Sequence, residues 1–172
     1  MVIIDSKISW KRLINNTTKI NVIEALEGQL ITNPLRLDAK VIDGQIVSDV
    51  AQDILKIVVV NRYEPNVPIA KAFIKNFNLK QGAIASTVAH DCHNIIAVGV
   101  DDDSICAAVN ALIEAQGGIS VANDVNTVDC LPLPIAGLMT DKNGYTIAEQ
   151  YSELDKKAKK ILSNISHKWV LY

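Results

Sequence analysis

The sequence is poor in cysteine and in histidine, with three of each in 172 residues. Cys92, Cys106 and Cys130 are odd in number and widely spaced, which excludes a disulfide framework. A reducing, cytoplasmic compartment fits that usage. No apolar run approaches the length that spans a bilayer, so a membrane partner is not expected. The first residues, MVIIDSKISWKRL, lack both a long apolar core and a small-residue cleavage site, and do not read as a signal peptide. No large basic block precedes the C-terminal helix and the net charge is −2, so nucleic acid is not an expected partner. Internal repeats, low-complexity tracts and linkers are missing as well.

What is there is a globular composition. Hydrophobic residues make up 49% of the chain and charged residues 21%, enough for one domain with a substantial core. The pattern reads as strands alternating with helices. Residues 20–26 and 29–32 look like strands interrupted at Gly28. In 39–47, Asp43-Gly44 lies between apolar runs and signals a tight hairpin. The β-branched run 55–62 suits a strand buried on both faces. Pro68 opens an expected helix, with Ala70, Phe73, Ile74 and Phe77 on one side.

Strands are expected again at 82–89 and 94–100. Asp101, Asp102 and Asp103 then mark a helix start, and Ile105, Val109, Leu112 and Ile113 its apolar stripe. Gly117-Gly118 supplies a left-handed stop. ISVAN and TVDCL read as two strands around a polar turn, and the prolines of 132–139 exclude a central strand there. The last helix is expected at about 146–165. Thr146 and Glu149 form its capping box, and Ile147, Tyr151, Leu154, Ala158, Ile161 and Ile165 its face. The whole reads as one α/β domain, with α+β the neighbouring class: a mixed β-sheet and about three flanking helices.

Between two strands sits a polar pentapeptide, His90-Asp91-Cys92-His93-Asn94. Imidazole and carboxylate are divalent-metal donors, but a catalytic metal usually takes three protein ligands, and His90, Asp91 and His93 would have to converge from four residues. The only other histidine is His167. Cys92 beside two histidines suggests a nucleophile, without an evident orienting group or oxyanion hole. A third reading has the polar side chains satisfy one another and the strand ends. A fourth reading is a contributed site, in which a strand end presents polar groups to something outside the domain.

Elsewhere, Cys106 falls on the apolar side of a helix and reads as core, and Cys130 as a packed strand end. Lys156, Lys157, Lys159 and Lys160 form a solvated basic face. Trp10 and Trp169 lie near the termini, where a packing role is one reading that the sequence does not decide. Arg62, ending a buried strand, is placed to bind an anion or to pair with a carboxylate.

Several motifs follow one another along the chain: Gly82-Ala83-Ile84-Ala85-Ser86, His90-Asp91 with His93-Asn94, Ala108-Val109-Asn110, Gly117-Gly118, and the run from Leu131 to Met139, LPLPIAGLM. Together they resemble the C-terminal domain of bacterial-type adenine deaminases, of the amidohydrolase superfamily. The similarity covers about residues 20–142, leaving 1–19 as an N-terminal extension to a domain of 20–172. Arg62 is followed by Tyr63 and EPNVP, where the family has His and a glycine-containing loop, and Cys92 stands where it commonly has Ser.

The resemblance implies conversion of adenine and water to hypoxanthine and ammonia. It implies a divalent metal (Mn, Fe or Zn) in the full-length enzyme, held by a separate (β/α) barrel that begins with a His-x-His pair. These residues contain no His-x-His and are too few for a barrel of typically ~250 residues. The expectation is therefore an accessory domain, with no cofactor of its own and no deamination alone. His90, Asp91, His93, Asn94 and Arg62 would support a purine site at the junction with a barrel partner. The alternative is a non-enzymatic assembly or small-molecule-binding module. An open sheet edge would favour a homo-oligomer.

Overall fold

The apolar run after Asp53 becomes β5 (Ile54–Val60), the strand around which the sheet is organised. The computed structural model describes residues 19–64 and 66–162. Trp10, Ile165, His167, Trp169 and most of the expected extension therefore lie outside the described residues.

Before β5 come β1 (Lys19–Ala25), β2 (Thr32–Asp38) and the short pair β3 (Lys40–Ile42) and β4 (Gln45–Val47). After it come β6 (Ala70–Lys75), β7 (Ala83–Ser86), β8 (Ile95–Gly99), α1 (Asp102–Glu114), β9 (Gly118–Ala122), β10 (Val128–Pro132) and α2 (Gly144–Ile161). Eight strands form one sheet in the order β10-β9-β7-β8-β5-β6-β1-β2. Every neighbouring pair is antiparallel except β1 and β6, so the sheet is mixed. β3 and β4 form a separate hairpin, turned by Asp43 and Gly44 at φ 49° and 77°, as the dipeptide predicts.

Successive side chains of a strand point to opposite faces, and the two faces carry different cores. On one face Ala83, Ala85 and Ala97 pack against Ile105, Val109 and Leu112 of α1. The small residues let the helix approach closely. A Cβ on Gly99 would stand 2.5 Å from Ile105 Cγ1. On the other face Leu55, Ile74, Ile84, Val98 and Val121 meet Leu154 and Ile161 of α2. Each fully buried side chain of this size contributes about 1.5–3 kcal/mol.

The helix expected from Pro68 is instead β6. Phe73 and Ile74 enter two different core clusters, which adjacent residues on a strand do and a one-sided helix does not. Pairing with β5 on one side and β1 on the other outweighs the helical spacing. Two helices, not about three, flank the sheet among the described residues. The strand expected at 29–32 starts only at Thr32, because Gly28 at φ 66° and the Gln29 N–H to Leu26 carbonyl bond make a turn first. Pro34 is tolerated because β2 is an outer strand, and the opposite outer strand, β10, ends on Pro132.

α1 starts as expected. Asp101 caps it, accepting from Ser104 N–H at 2.7 Å, and Asp102 and Asp103 occupy its first turn. Its stop differs. Gln116 at φ 61°, not a glycine, takes the left-handed position, and Gly117 N–H reaches back to the Leu112 carbonyl. α2 begins earlier than the capping box suggests: Asn143 caps it through Tyr145 N–H, which leaves Thr146 inside the first turn. Among the described residues no helix is long and apolar enough to cross a membrane.

Candidate functional site at one end of the sheet

The register gathers distant segments at one end of the sheet. Val60 pairs with Ile95, Ser86 with Ile96 and Ile119, and Gly118 with Pro132. The segment after β5, the turn between β7 and β8, the end of α1 and the segment after β10 therefore share that end.

The pentapeptide is the β7–β8 turn. Asp91 and His93 adopt left-handed backbone at φ 66° and 47°, a region that Asp and His tolerate better than most residues. Cys92 N–H donates to the His90 carbonyl and His93 N–H to the Ala89 carbonyl, both at 2.9 Å. These bends send the side chains apart. His90 and Asp91 are exposed and pair with each other, Nδ1 to Oδ1 at 3.1 Å. His93 and Asn94 turn inward. His93 Nδ1 and Asn94 Oδ1 are buried and find no hydrogen-bond partner among the described residues. Mutual satisfaction thus holds for the first pair and fails for the second. Cys92 is exposed.

Among the described residues, no group of three or more His, Cys, Asp or Glu side chains gathers where it could hold a metal ion. The donors of the turn do not fit the divalent metal that the resemblance implies for a full-length enzyme, since His90 is engaged by Asp91 while His93 turns inward.

Arg62 follows the end of β5. Its guanidinium donates to the Ala136 carbonyl and sits 5.3 Å from the centre of the Tyr63 ring. The sequence reading offered an anion or a carboxylate; the partner in the fold is a main-chain carbonyl. Tyr63 Oη lies 3.4 Å from the His93 carbonyl and links the two parts of the site. Beneath Arg62, Gly117 and Gly137 come so close that a Cβ on Gly117 would strike Gly137 Cα and stand 3.2 Å from Arg62 Nη1. A Cβ on Gly137 would overlap the guanidinium itself.

Thr87 holds this arrangement, and sequence reasoning missed it. Its hydroxyl is buried, accepts from Gly118 N–H at 2.8 Å and donates to the Gly137 carbonyl at 2.5 Å. In the sequence it is one residue of an apolar strand run, and only the prolines of 132–139, which exclude a central strand, hinted at a loop to be anchored. Above these groups opens a cleft of about 620 Å³, walled by Ile69, Leu112 and Ile113 and edged by Arg62, Tyr63 and Gln116.

Residues 29–171 match the family model described as the adenine deaminase C-terminal domain. The chain belongs to this family. Its relatives include proteins named adenine deaminase from Methanosarcina barkeri, 48% identical over 143 residues, and Borreliella afzelii, 42% identical over 162 residues. A third, from Archaeoglobus fulgidus, is 44% identical over 155 residues. These alignments take in 83%, 94% and 90% of this chain but 26%, 28% and 27% of the relatives. The chain thus spans about a quarter of the length of the curated relatives it matches. The whole sheet end, from Arg62 to Gly137, falls inside the adenine deaminase C-terminal match.

Proposed function

We propose that this domain forms one wall of the purine site of an adenine deaminase, with the remainder of that site on a metal-bearing barrel domain. The reaction is hydrolysis of adenine to hypoxanthine and ammonia in the cytoplasm. The domain orients and encloses; it does not deaminate adenine by itself.

One observation carries the reading. His93 Nδ1 and Asn94 Oδ1 are buried at the end of the sheet without partners among the described residues. A buried polar atom left unpaired costs roughly 1–3 kcal/mol, so two on neighbouring residues of one turn favour a rearrangement of that turn that pairs them with a docked complement. Asn94 Oδ1 accepts, so it needs a donor; His93 Nδ1 does either, according to its tautomer. A docked domain or a purine edge offers both kinds of group. The exposed His90–Asp91 pair on the same turn and Arg62 beside it supply further polar contacts for that junction. Groups of this kind position ligands and substrate without binding metal themselves.

Ammonia release is the test. The 172-residue chain with added Mn²⁺ or Zn²⁺ should show none. Mixed with the part of the Methanosarcina barkeri relative that this chain does not match, it should co-sediment and raise turnover, and a His93→Ala, Asn94→Ala variant should do both poorly. Robust turnover by the chain alone, or no association with the complementary part, overturns the proposal.

A further inference from the structure

We infer that the cleft beside Arg62 binds a neutral purine carrying an exocyclic oxygen, the product side of the reaction, in preference to the amino-substituted purine. The choice of a purine rests on the proposed function; the preference within that class rests on the geometry of the cleft.

At about 620 Å³ the cleft has the size of a small-molecule site. Ile69, Leu112 and Ile113 give it apolar walls suited to a planar ring, and Arg62 and Glu64 are the charged residues that line it. Arg62 is held from three sides: by the Ala136 carbonyl, by the Tyr63 ring, and by Gly117 and Gly137, where no side chain fits. A guanidinium has five N–H donors in a rigid fork, and one carbonyl does not exhaust them.

Two parallel donors suit two adjacent acceptors. A 6-oxopurine offers O6 and N7 side by side, the pair that arginine reads on guanine. Adenine offers N7 beside an amino group, which is itself a donor and repels the fork; that edge suits an amide side chain. Anions are disfavoured by a second feature. The cleft lies at the carboxyl end of α1, where Gln116 and Gly117 follow the last turn and the helix dipole is negative. That end stabilises the guanidinium and opposes a phosphate or carboxylate. A neutral oxo-ligand meets both demands.

Calorimetric titration of the full chain with hypoxanthine, adenine and inorganic phosphate tests the inference. Hypoxanthine should bind at least about tenfold more tightly than adenine, the scale of discrimination that a bidentate pair gives, and phosphate should give no heat. Arg62→Gln, with an amide in place of the fork, should reverse the order in favour of adenine. Side-chain ¹⁵N spectra of the unmutated protein guard against a misfolded variant: hypoxanthine should shift the Arg62 signals and phosphate should not. Equal affinities, a preference for phosphate, an unmoved Arg62 signal or an Arg62→Gln variant with unchanged preference each overturn it. If hypoxanthine fails to bind but the complementary part restores deamination, this inference falls and the proposed function stands. Selective hypoxanthine binding without any complementation supports the cleft and overturns the proposed function.

Discussion

Thr87 Oγ1 lies 2.5 Å from the carbonyl oxygen of Gly137, a residue fifty positions further along the chain. The same hydroxyl accepts from Gly118 N–H. One short side chain thereby fixes the segment after β10 against the first residue of β9, and the Ala136 carbonyl that holds Arg62 lies next to that anchor. The position of the guanidinium in the cleft is therefore set from behind, by a residue that is itself almost wholly buried.

Replacing Thr87 by valine keeps the shape and removes the hydroxyl. Gly118 N–H and the Gly137 carbonyl, both buried, then lose this partner. Urea denaturation should show a loss of about 1–3 kcal/mol. A loss below a few tenths would mean that the hydroxyl does not pin the loop.

Glycines with positive φ should divide by their surroundings. Gly28 at φ 66° faces open space, so Gly28→Ala should cost only about 1–2 kcal/mol of backbone strain. Gly118 at φ 142° abuts the Leu131 carbonyl, and Leu133 N would stand 3.2 Å from an added Cβ. Gly118→Ala should part β9 from β10 and destabilise by more than about 3 kcal/mol. Equal melting temperatures for the two variants would contradict this.

Lys56 is buried in β5 and meets Asp102 at the start of α1, Nζ to Oδ1 at 2.7 Å. Removing the carboxylate with Asp102→Ala takes the close counter-charge from a desolvated ammonium, which should cost up to roughly 3–5 kcal/mol. Lys56→Met should be far milder, and adding it to Asp102→Ala should recover much of the loss. A double-mutant cycle in guanidinium chloride decides; additive losses would sink the account.

Asp53 should set a pH dependence. Burial raises its carboxyl above the ordinary range, partly opposed by the Asn78 N–H that it accepts at 2.6 Å. Its folded pKa exceeds the unfolded one, so the associated stability is complete below the ordinary carboxylate range and disappears as pH rises through the elevated value. Asp53→Asn removes the titration, keeps an acceptor for Asn78 and suits the left-handed φ of 55°. The variant should melt higher than the parent at about pH 7, and the gap should shrink towards about pH 3. A gap that grows on acidification would reverse the sign.

Cysteine alkylation should be selective. Cys92 is exposed and Cys106 buried, while burial, with help from Glu114, pushes the Cys130 thiol up to about 11. Thiolates are the reactive form, so iodoacetamide in mild alkali should label Cys92 alone until the protein unfolds. Peptide mass mapping reads this directly, and early labelling of Cys130 would refute it.

Much of the scaffold is legible in the chain. The Asp43-Gly44 turn, the buried run of β5 and the apolar stripe of α1 each express one local rule, and the fold keeps them. The segment from Ala70 to Phe77 misleads because its apolar residues satisfy helical spacing while two neighbours, Phe73 and Ile74, serve opposite faces of a sheet. That choice is made by β1 and β5, which are distant in sequence. The start of α2 misleads because Asn143 and Thr146 are both good caps and only packing selects between them. At the site, the pentapeptide's position beside a strand is readable. The parting of His90 and Asp91 from His93 and Asn94 is not, because it follows from left-handed backbone at two non-glycine residues. Nor is the bond of Arg62 to Ala136, which joins positions 74 residues apart.

Pro34 and Pro132 occupy the two border strands, β2 and β10. Each border therefore presents a ladder with a rung missing, and a foreign strand laid against either would find no amide hydrogen at that step. Lateral growth into fibres is discouraged on both flanks at once.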